Sequence, residues 1–195
     1  MTADTDKTKW LQTVVDSLKA EVGSDKQRAL PPVHLWRPER SSDIEMEIRR
    51  DGSWWHEGGR INRDKLVRLF ATILRKDEDG IYLVTPHEKV IVHVEDAPFI
   101  ATRIEKVGEA DEQTLLVTTN LGDVFAIDED HPLRVVTDPD TNEPTPYVEV
   151  RAGLEARIGR APFYDLVNWA EPIDGSDVIA VKSAGVRFEL GSISG

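Results

Sequence analysis

Two stretches of this chain read alike, and that match limits the fold more than any other feature in it. "EIRRDGSWWHEGGRINRDKLVRLF" begins at Glu47 and "EVRAGLEARIGRAPFYDLVNWA" begins at Glu149. Glu47-Ile48-Arg49 corresponds to Glu149-Val150-Arg151, Gly59-Arg60 to Gly159-Arg160, and Leu66-Val67 to Leu166-Val167. Each stretch is followed by two short strand-like runs: "GIYLVT" and "VIVHV" after the first, "DVIAVK" and "VRFELG" after the second. Self-similarity on this scale marks a supersecondary unit used twice. The expected fold is α+β, with two β-rich halves related by internal duplication, each closing in the order ββαββ.

Local patterning supports that order. Ile44, Met46 and Ile48 alternate with Glu45, Glu47 and Arg49, which predicts a half-buried strand. Asp51-Gly52 is a two-residue hairpin signal of type I′. With that turn, Arg49 faces Trp54, Ile48 faces Trp55 and Glu47 faces His56. Trp55 then points to the core, whereas Trp54 and His56 share the outer face with Arg49 and Glu47. A cation–π pair between Arg49 and Trp54 and a charge pair between Glu47 and His56 follow. Asn62 caps a predicted helix whose apolar stripe is Leu66, Val67, Phe70, Ile73 and Leu74, with "KDEDG" closing it. Pro162 starts the corresponding second helix. Between the two units, "FIATRIEKV", "QTLLVTTN", "DVFAID" and "LRVVT" read as an antiparallel meander.

Upstream, Trp10, Leu11, Val14, Val15, Leu18 and Val22 have helical spacing and predict an N-terminal helix over Thr8–Val22. Pro31, Pro32 and Pro38 keep the next segment extended, pinned by Leu35 and Trp36. The chain thus divides into a helix and linker over 1–30, a first β-rich domain over 31–98 and a second over 99–195.

Composition excludes several chemistries. There is no cysteine among the 195 residues, so there is no disulfide, thiol nucleophile or thiolate metal site. No run is long and apolar enough to span a bilayer, and no signal peptide is evident, so a cytoplasmic protein is expected. The net charge is −12, which opposes non-specific nucleic-acid binding. Positive charge is concentrated in Arg49–Lys76, where Arg63, Lys65, Arg68 and Arg75 form the weakest of the candidate sites, a nucleic-acid contact. No two of the five histidines have metal-site spacing, and no metal or cofactor is expected. Asp138, Asp140, Asn142 and Glu149 match four places of a calcium loop, but Glu143 stands at the glycine place and Pro144 and Pro146 follow. No nucleophile elbow surrounds Ser53 or Ser183.

Taken together, "DGSWWHEGGRINRDKLVRLFATIL", "YLVTPHEKVIVHVEDAPF", "DHPLRV", "PYVEVRAGLEARIGRAPFYDLV" and "FELG" resemble the bacterial domain-of-unknown-function family numbered 1285. The resemblance runs from about Pro31 to Gly191. It implies two β-rich halves related by duplication, the second superficially like the pleckstrin-homology barrel, and a ligand-binding or signalling role. It carries no catalytic residues. His87 and His93 depart from the family's pattern and are poor site candidates.

The first expectation is therefore a non-enzymatic ligand-binding or interaction module in signal transduction, taking a small anionic ligand or a protein partner. Its site is expected where the halves meet, lined by Trp54, His56, Arg60, Arg160 and Tyr164, with the duplicated arginines holding the anion. The alternative is an enzyme acting on a small anionic substrate, with His56 as acid–base and Arg60 and Arg160 as clamps.

Overall fold

The computed structural model describes residues 30–109 and 112–192. The helix expected over Thr8–Val22 lies outside these residues. The described chain is mostly β, with two α-helices, and forms two compact units. One unit combines the residues up to Glu47 with Trp55–His93. The other combines Ile48–Trp54 with the residues from Val94 onward.

The first half runs β1 (Arg40–Ile48), β2 (Trp54–His56), β3 (Gly59–Arg60), α1 (Asp64–Thr72), β4 (Leu74–Asp77), β5 (Gly80–Val84) and β6 (Glu88–Val94). Its strands form one sheet in the order β3-β2-β1-β6-β5-β4. The proline segment before β1 holds only a single 3₁₀ turn, Val33–Leu35. Leu35 is exposed and pins nothing. The segment is held by Arg75, whose Nη1 donates to the carbonyls of Val33 and Trp36, both at 3.0 Å.

The β1–β2 turn differs from the sequence expectation by one residue. The Gly52 N–H donates to the Arg49 carbonyl at 2.8 Å, and the Arg49 N–H donates to the Ser53 carbonyl at 3.0 Å. Gly52 has φ +78. This is a three-residue loop, a tight turn followed by a left-handed glycine, and not a two-residue type I′ turn. The Glu57 N–H donates to the Glu45 carbonyl at 3.0 Å, in the same register. Trp54 therefore stands opposite Ile48 and Trp55 opposite Glu47. A slip of one residue exchanges the two faces of a strand. Trp54 is 1% exposed and belongs to the core, whereas Trp55 and His56 are half-buried. The two-residue turns lie elsewhere. Glu57-Gly58, Ala152-Gly153 and Ala184-Gly185 each place positive φ at both residues.

Helix α1 is shorter than its apolar stripe suggested. Arg63, not Asn62, is the N-cap. The helix ends at Thr72, where the Ile73 N–H turns back to the Phe70 carbonyl at 3.0 Å. Ile73 and Leu74 are buried, but in a strand setting: Leu74 opens β4 and pairs with Leu83 of β5. Two buried apolar residues fit the end of a helical stripe or the start of a strand equally well, and the β4–β5 ladder decides for the strand.

The second half runs β7 (Phe99–Val107), β8 (Thr114–Thr119), β9 (Val124–Ala126), β10 (Leu133–Thr137), β11 (Pro144–Arg151), β12 (Leu154–Ile158), α2 (Arg160–Trp169), β13 (Glu171–Pro172), β14 (Val178–Ser183) and β15 (Val186–Ser192). The six strands before α2 form a sheet ordered β10-β11-β12-β7-β8-β9. β7, β8 and β9 form an antiparallel meander as expected, but β10 lies at the opposite edge beside β11, and β12 pairs parallel with β7. The three strands after α2 make a separate small sheet, β13-β14-β15. Ser183, fully buried, joins that sheet to the larger one. Its Oγ accepts the Leu115 N–H at 2.9 Å and donates to the Ile127 carbonyl at 2.6 Å.

Candidate functional site

The sheet places three residues in one row. Arg134 of β10 pairs with Tyr147 of β11, and Tyr147 pairs with Arg157 of β12. Strict alternation explains their shared face: Leu154, Ala156 and Ile158 turn inward, so Glu155 and Arg157 turn the other way. Arg134 lies over the Tyr147 ring, 4.6 Å from its centre, and forms a two-pronged ion pair with Glu155 at 2.6 and 2.8 Å.

Asp96 sits at the end of this row. The Tyr147 hydroxyl donates to Asp96 Oδ1 at 2.6 Å. Arg157 Nε lies 3.1 Å and Arg50 Nε 3.5 Å from Asp96 Oδ2. Arg157 also donates through Nη2 to the Arg50 carbonyl at 3.0 Å. One carboxylate thus holds two guanidiniums. Burial, reinforced by the hydrogen bond to Asp96, pushes the Tyr147 phenol up to about 12, so it stays a neutral donor.

Arg50 and Arg157 line a cleft of about 410 Å³ within the second unit. After β12 the chain turns at Gly159 into α2, whose first turn brings Arg160 to the same cleft. Arg160 Nε donates to the Tyr164 hydroxyl at 3.2 Å, and its guanidinium lies 5.8 Å from the centre of that ring. Phe163 and Tyr164 form one wall, and Pro144 and Pro146 at the start of β11 line the cleft as well. Its lining carries three guanidiniums and one carboxylate, Glu143, with Asp96 standing behind two of the cations.

Of the five residues singled out from sequence, Arg160 and Tyr164 line this cleft. Trp54 belongs to the same unit but is buried in its core and does not line it. His56 and Arg60 belong to the other unit. The His56 Nδ1 lies 3.1 Å from the Ile44 carbonyl, a contact that fixes the ring to its own sheet. Arg60 is exposed on β3, opposite Trp55. Sequence reasoning missed Arg50, Arg157, Asp96 and Tyr147. Arg157 carried a signal, the outward parity of "LEARI" read as a strand.

The basic set proposed for nucleic acid is divided. Arg75 lies on β4, where Nε and Nη2 donate to Asp77 at 2.6 and 2.9 Å and hold its carboxyl below the usual range. In the acidic loop, Asp138 Oδ1 accepts the N–H groups of Asp140 and Thr141 at 2.8 and 2.9 Å, and Glu149 Oε1 accepts that of Gly153 at 2.8 Å. These carboxylates shape turns. No described helix is long and apolar enough to cross a membrane.

Comparison with known proteins adds the following. The N-terminal domain of the DUF1285 family, a domain of unknown function, matches residues 31–97, and the family's C-terminal domain matches residues 98–190. A crystal structure of a DUF1285 family protein from Silicibacter pomeroyi is 44% identical, with a TM-score of 0.80, over 92% of this chain and 95% of that one. Another DUF1285 family structure, from Shewanella baltica, is 31% identical with a TM-score of 0.51, over 63% of this chain and 90% of that one. No curated protein matches the chain. Two family domains matched in tandem, and a relative aligned over nearly its whole length, make this chain a member of the DUF1285 family.

Proposed function

We propose that the second unit is a non-enzymatic binding module for a small organic anion. The carboxylate of the ligand is held by Arg157 and Arg160, and its apolar body lies against Phe163, Tyr164 and the two prolines. The observation that carries this reading is the gathering of Arg50, Arg157 and Arg160 on one cleft in a chain of net charge −12. An acidic protein repels anions at long range, so a local arginine cluster is what an anion site in it requires. Arginine suits the task because its planar fork matches a carboxylate and stays charged at every working pH. Among the described residues that line the cleft there is no imidazole, and Glu143, the one carboxylate able to take a proton, stands against three guanidiniums. The lining is thus suited to holding an anion more than to transferring a proton.

A role in signalling, in which the ligand alters how the protein meets a partner, extends this proposal. So does the reading of the fold as a duplication with a pleckstrin-homology-like second half. The hairpin–helix–hairpin order in both halves supports common ancestry, with β3 and β4 added in one half and β13 in the other.

The test is a thermal-shift and calorimetric series with benzoate, acetate and inorganic phosphate. A ligand bound only by the folded state raises the melting temperature, by an amount that grows with ligand concentration. Benzoate is expected to bind more tightly than acetate or phosphate, and exposed Arg160→Ala to weaken it about tenfold or more. Equal responses to all three anions, or full binding by Arg160→Ala, would refute the proposal.

A further inference from the structure

We infer that Asp96 sets the charge of the arginine cleft and selects a singly charged anion over a doubly charged one, a role that rests on the anion-binding reading of that cleft. Asp96 stands in the loop after β6, behind the cleft and not on its lining. Its side chain is 13% exposed. The Tyr147 hydroxyl, 2.6 Å from Oδ1, holds it in place. Its Oδ2 lies 3.1 Å from Arg157 Nε and 3.5 Å from Arg50 Nε. Oδ2 and Arg157 Nε are both shielded from water, and they are not aligned for a hydrogen bond. What Asp96 supplies to Arg157 is therefore mainly charge. Both contacts are made at Nε, so Asp96 does not occupy the terminal nitrogens with which a guanidinium also grips a carboxylate.

The described lining of the cleft carries Arg50, Arg157, Arg160 and Glu143 as its charged residues. With Asp96 counted, three guanidiniums meet two carboxylates, a surplus of one positive charge. A singly charged anion matches that surplus, and a doubly charged one exceeds it. The two carboxylates do not weigh equally. Glu143 is exposed, so water and salt screen it. Asp96 is largely buried, where a charge is screened less and acts more strongly. A second negative group brought into the cleft therefore meets the field of Asp96. Selectivity of this kind comes from a repulsive element as much as from an attractive one. The same carboxylate also steadies Arg157, so its loss weakens every anion to some extent. The ratio of two affinities separates the two effects.

The test is calorimetric titration of the full chain, at neutral pH, with benzoate and with isophthalate, which adds a second carboxylate to the same ring. The unaltered chain is expected to bind benzoate about tenfold more tightly. Asp96→Asn keeps the shape of the side chain and an acceptor for the Tyr147 hydroxyl but removes the charge. It should shift the ratio of the two affinities about tenfold toward isophthalate. The bulk of the second carboxylate is the same for both proteins, and a loosened structure weakens both ligands alike, so neither accounts for a change in ratio. Asp96→Glu, which keeps the charge, should keep the preference for benzoate. Glu143→Gln, at an exposed position, should shift the ratio by less than about threefold. Isophthalate bound by the unaltered chain as tightly as benzoate overturns the assignment, with no substitution needed. So does an unmoved ratio in Asp96→Asn, loss of the preference in Asp96→Glu, or a shift in Glu143→Gln as large as that in Asp96→Asn. Binding of neither anion by the unaltered chain overturns this role and the anion-binding reading together, whereas benzoate binding with an unmoved ratio overturns this role alone.

Discussion

Replacing Ser183 by alanine should be among the most destabilising single changes in the second unit. Its hydroxyl is fully buried and uses both its roles: Oγ accepts from the Leu115 N–H at 2.9 Å and donates to the Ile127 carbonyl at 2.6 Å. Leu115 and Ile127 are themselves fully buried. Alanine removes little volume but leaves a backbone donor and a backbone acceptor without that hydroxyl, away from water. Each buried group left unsatisfied costs about 1–3 kcal/mol, so the pair is worth roughly 2–6 kcal/mol. Against a total stability of about 5–15 kcal/mol for a typical protein, that is a large share. Urea unfolding followed by circular dichroism measures it, as a lower midpoint with an unchanged slope. Ser176→Ala is the control. Its exposed Oγ accepts the Val178 N–H at 3.0 Å, and its loss should cost about 0.5–1 kcal/mol. If Ser183→Ala costs no more than the control, the buried bridge between the two sheets is not a stabilising element and the reasoning fails.

Gly52→Ala should destabilise by about 1–3 kcal/mol in the same assay. Its φ is +78, and a Cβ there would lie 2.9 Å from both Ile100 Cδ1 and Asn120 Nδ2. Ala184→Gly should stabilise by up to about 1 kcal/mol, because φ 49 is a left-handed conformation that costs alanine more than glycine. A lower urea midpoint for that variant would count against the turn assignment. In a spectrophotometric pH titration, Tyr147 should ionise near 12, after ordinary tyrosines. Because its folded value is raised, its contribution to stability is complete below pH 10 and is lost as pH rises through 12. Tyr147→Phe should flatten that alkaline loss, and an unchanged profile would show that the phenol is not the responsible group.

Much of the β architecture was legible because it rests on local alternation. The strands Phe99–Val107 and Leu133–Thr137 and the alternation of β1 can be read directly from residues. What escaped was decided by contacts that local pattern does not encode. "DG" suits either a two-residue turn or the end of a three-residue loop. The choice of the longer loop coincides with the close approach of Gly52 to Ile100 and Asn120, residues far along the chain. That single choice reversed the faces of Trp54 and Trp55. The parallel pairing of β12 with β7 is similarly non-local, with the whole run from β8 to β11 lying between them.

The same distinction governs the candidate site. Arg160 was found from sequence through the repeated Gly-Arg pair and Tyr164 through its place at the start of the second helix; on α2 the two lie four residues apart, a spacing at which side chains meet. Arg50, Arg157 and Asp96 converge from a hairpin tip, a strand and the loop after β6, and no spacing joins them. The repeat also misdirected the search. It paired Arg60 with Arg160 because both follow a glycine before a helix, yet one residue lines a cleft of the second unit and the other belongs to the first. Matching sequence positions imply matching backbone roles, and a side chain's partners depend on what packs against it. In this chain the strand before α2 carries the missing information. Parity alone places Arg157 on the face of β12 opposite Ala156, and the turn at Gly159 brings Arg160 to the same cleft. An arginine at outward parity shortly before a helix-starting arginine was thus a better pointer to the arginine-lined cleft than the aromatic cluster "SWWH", whose first tryptophan is core.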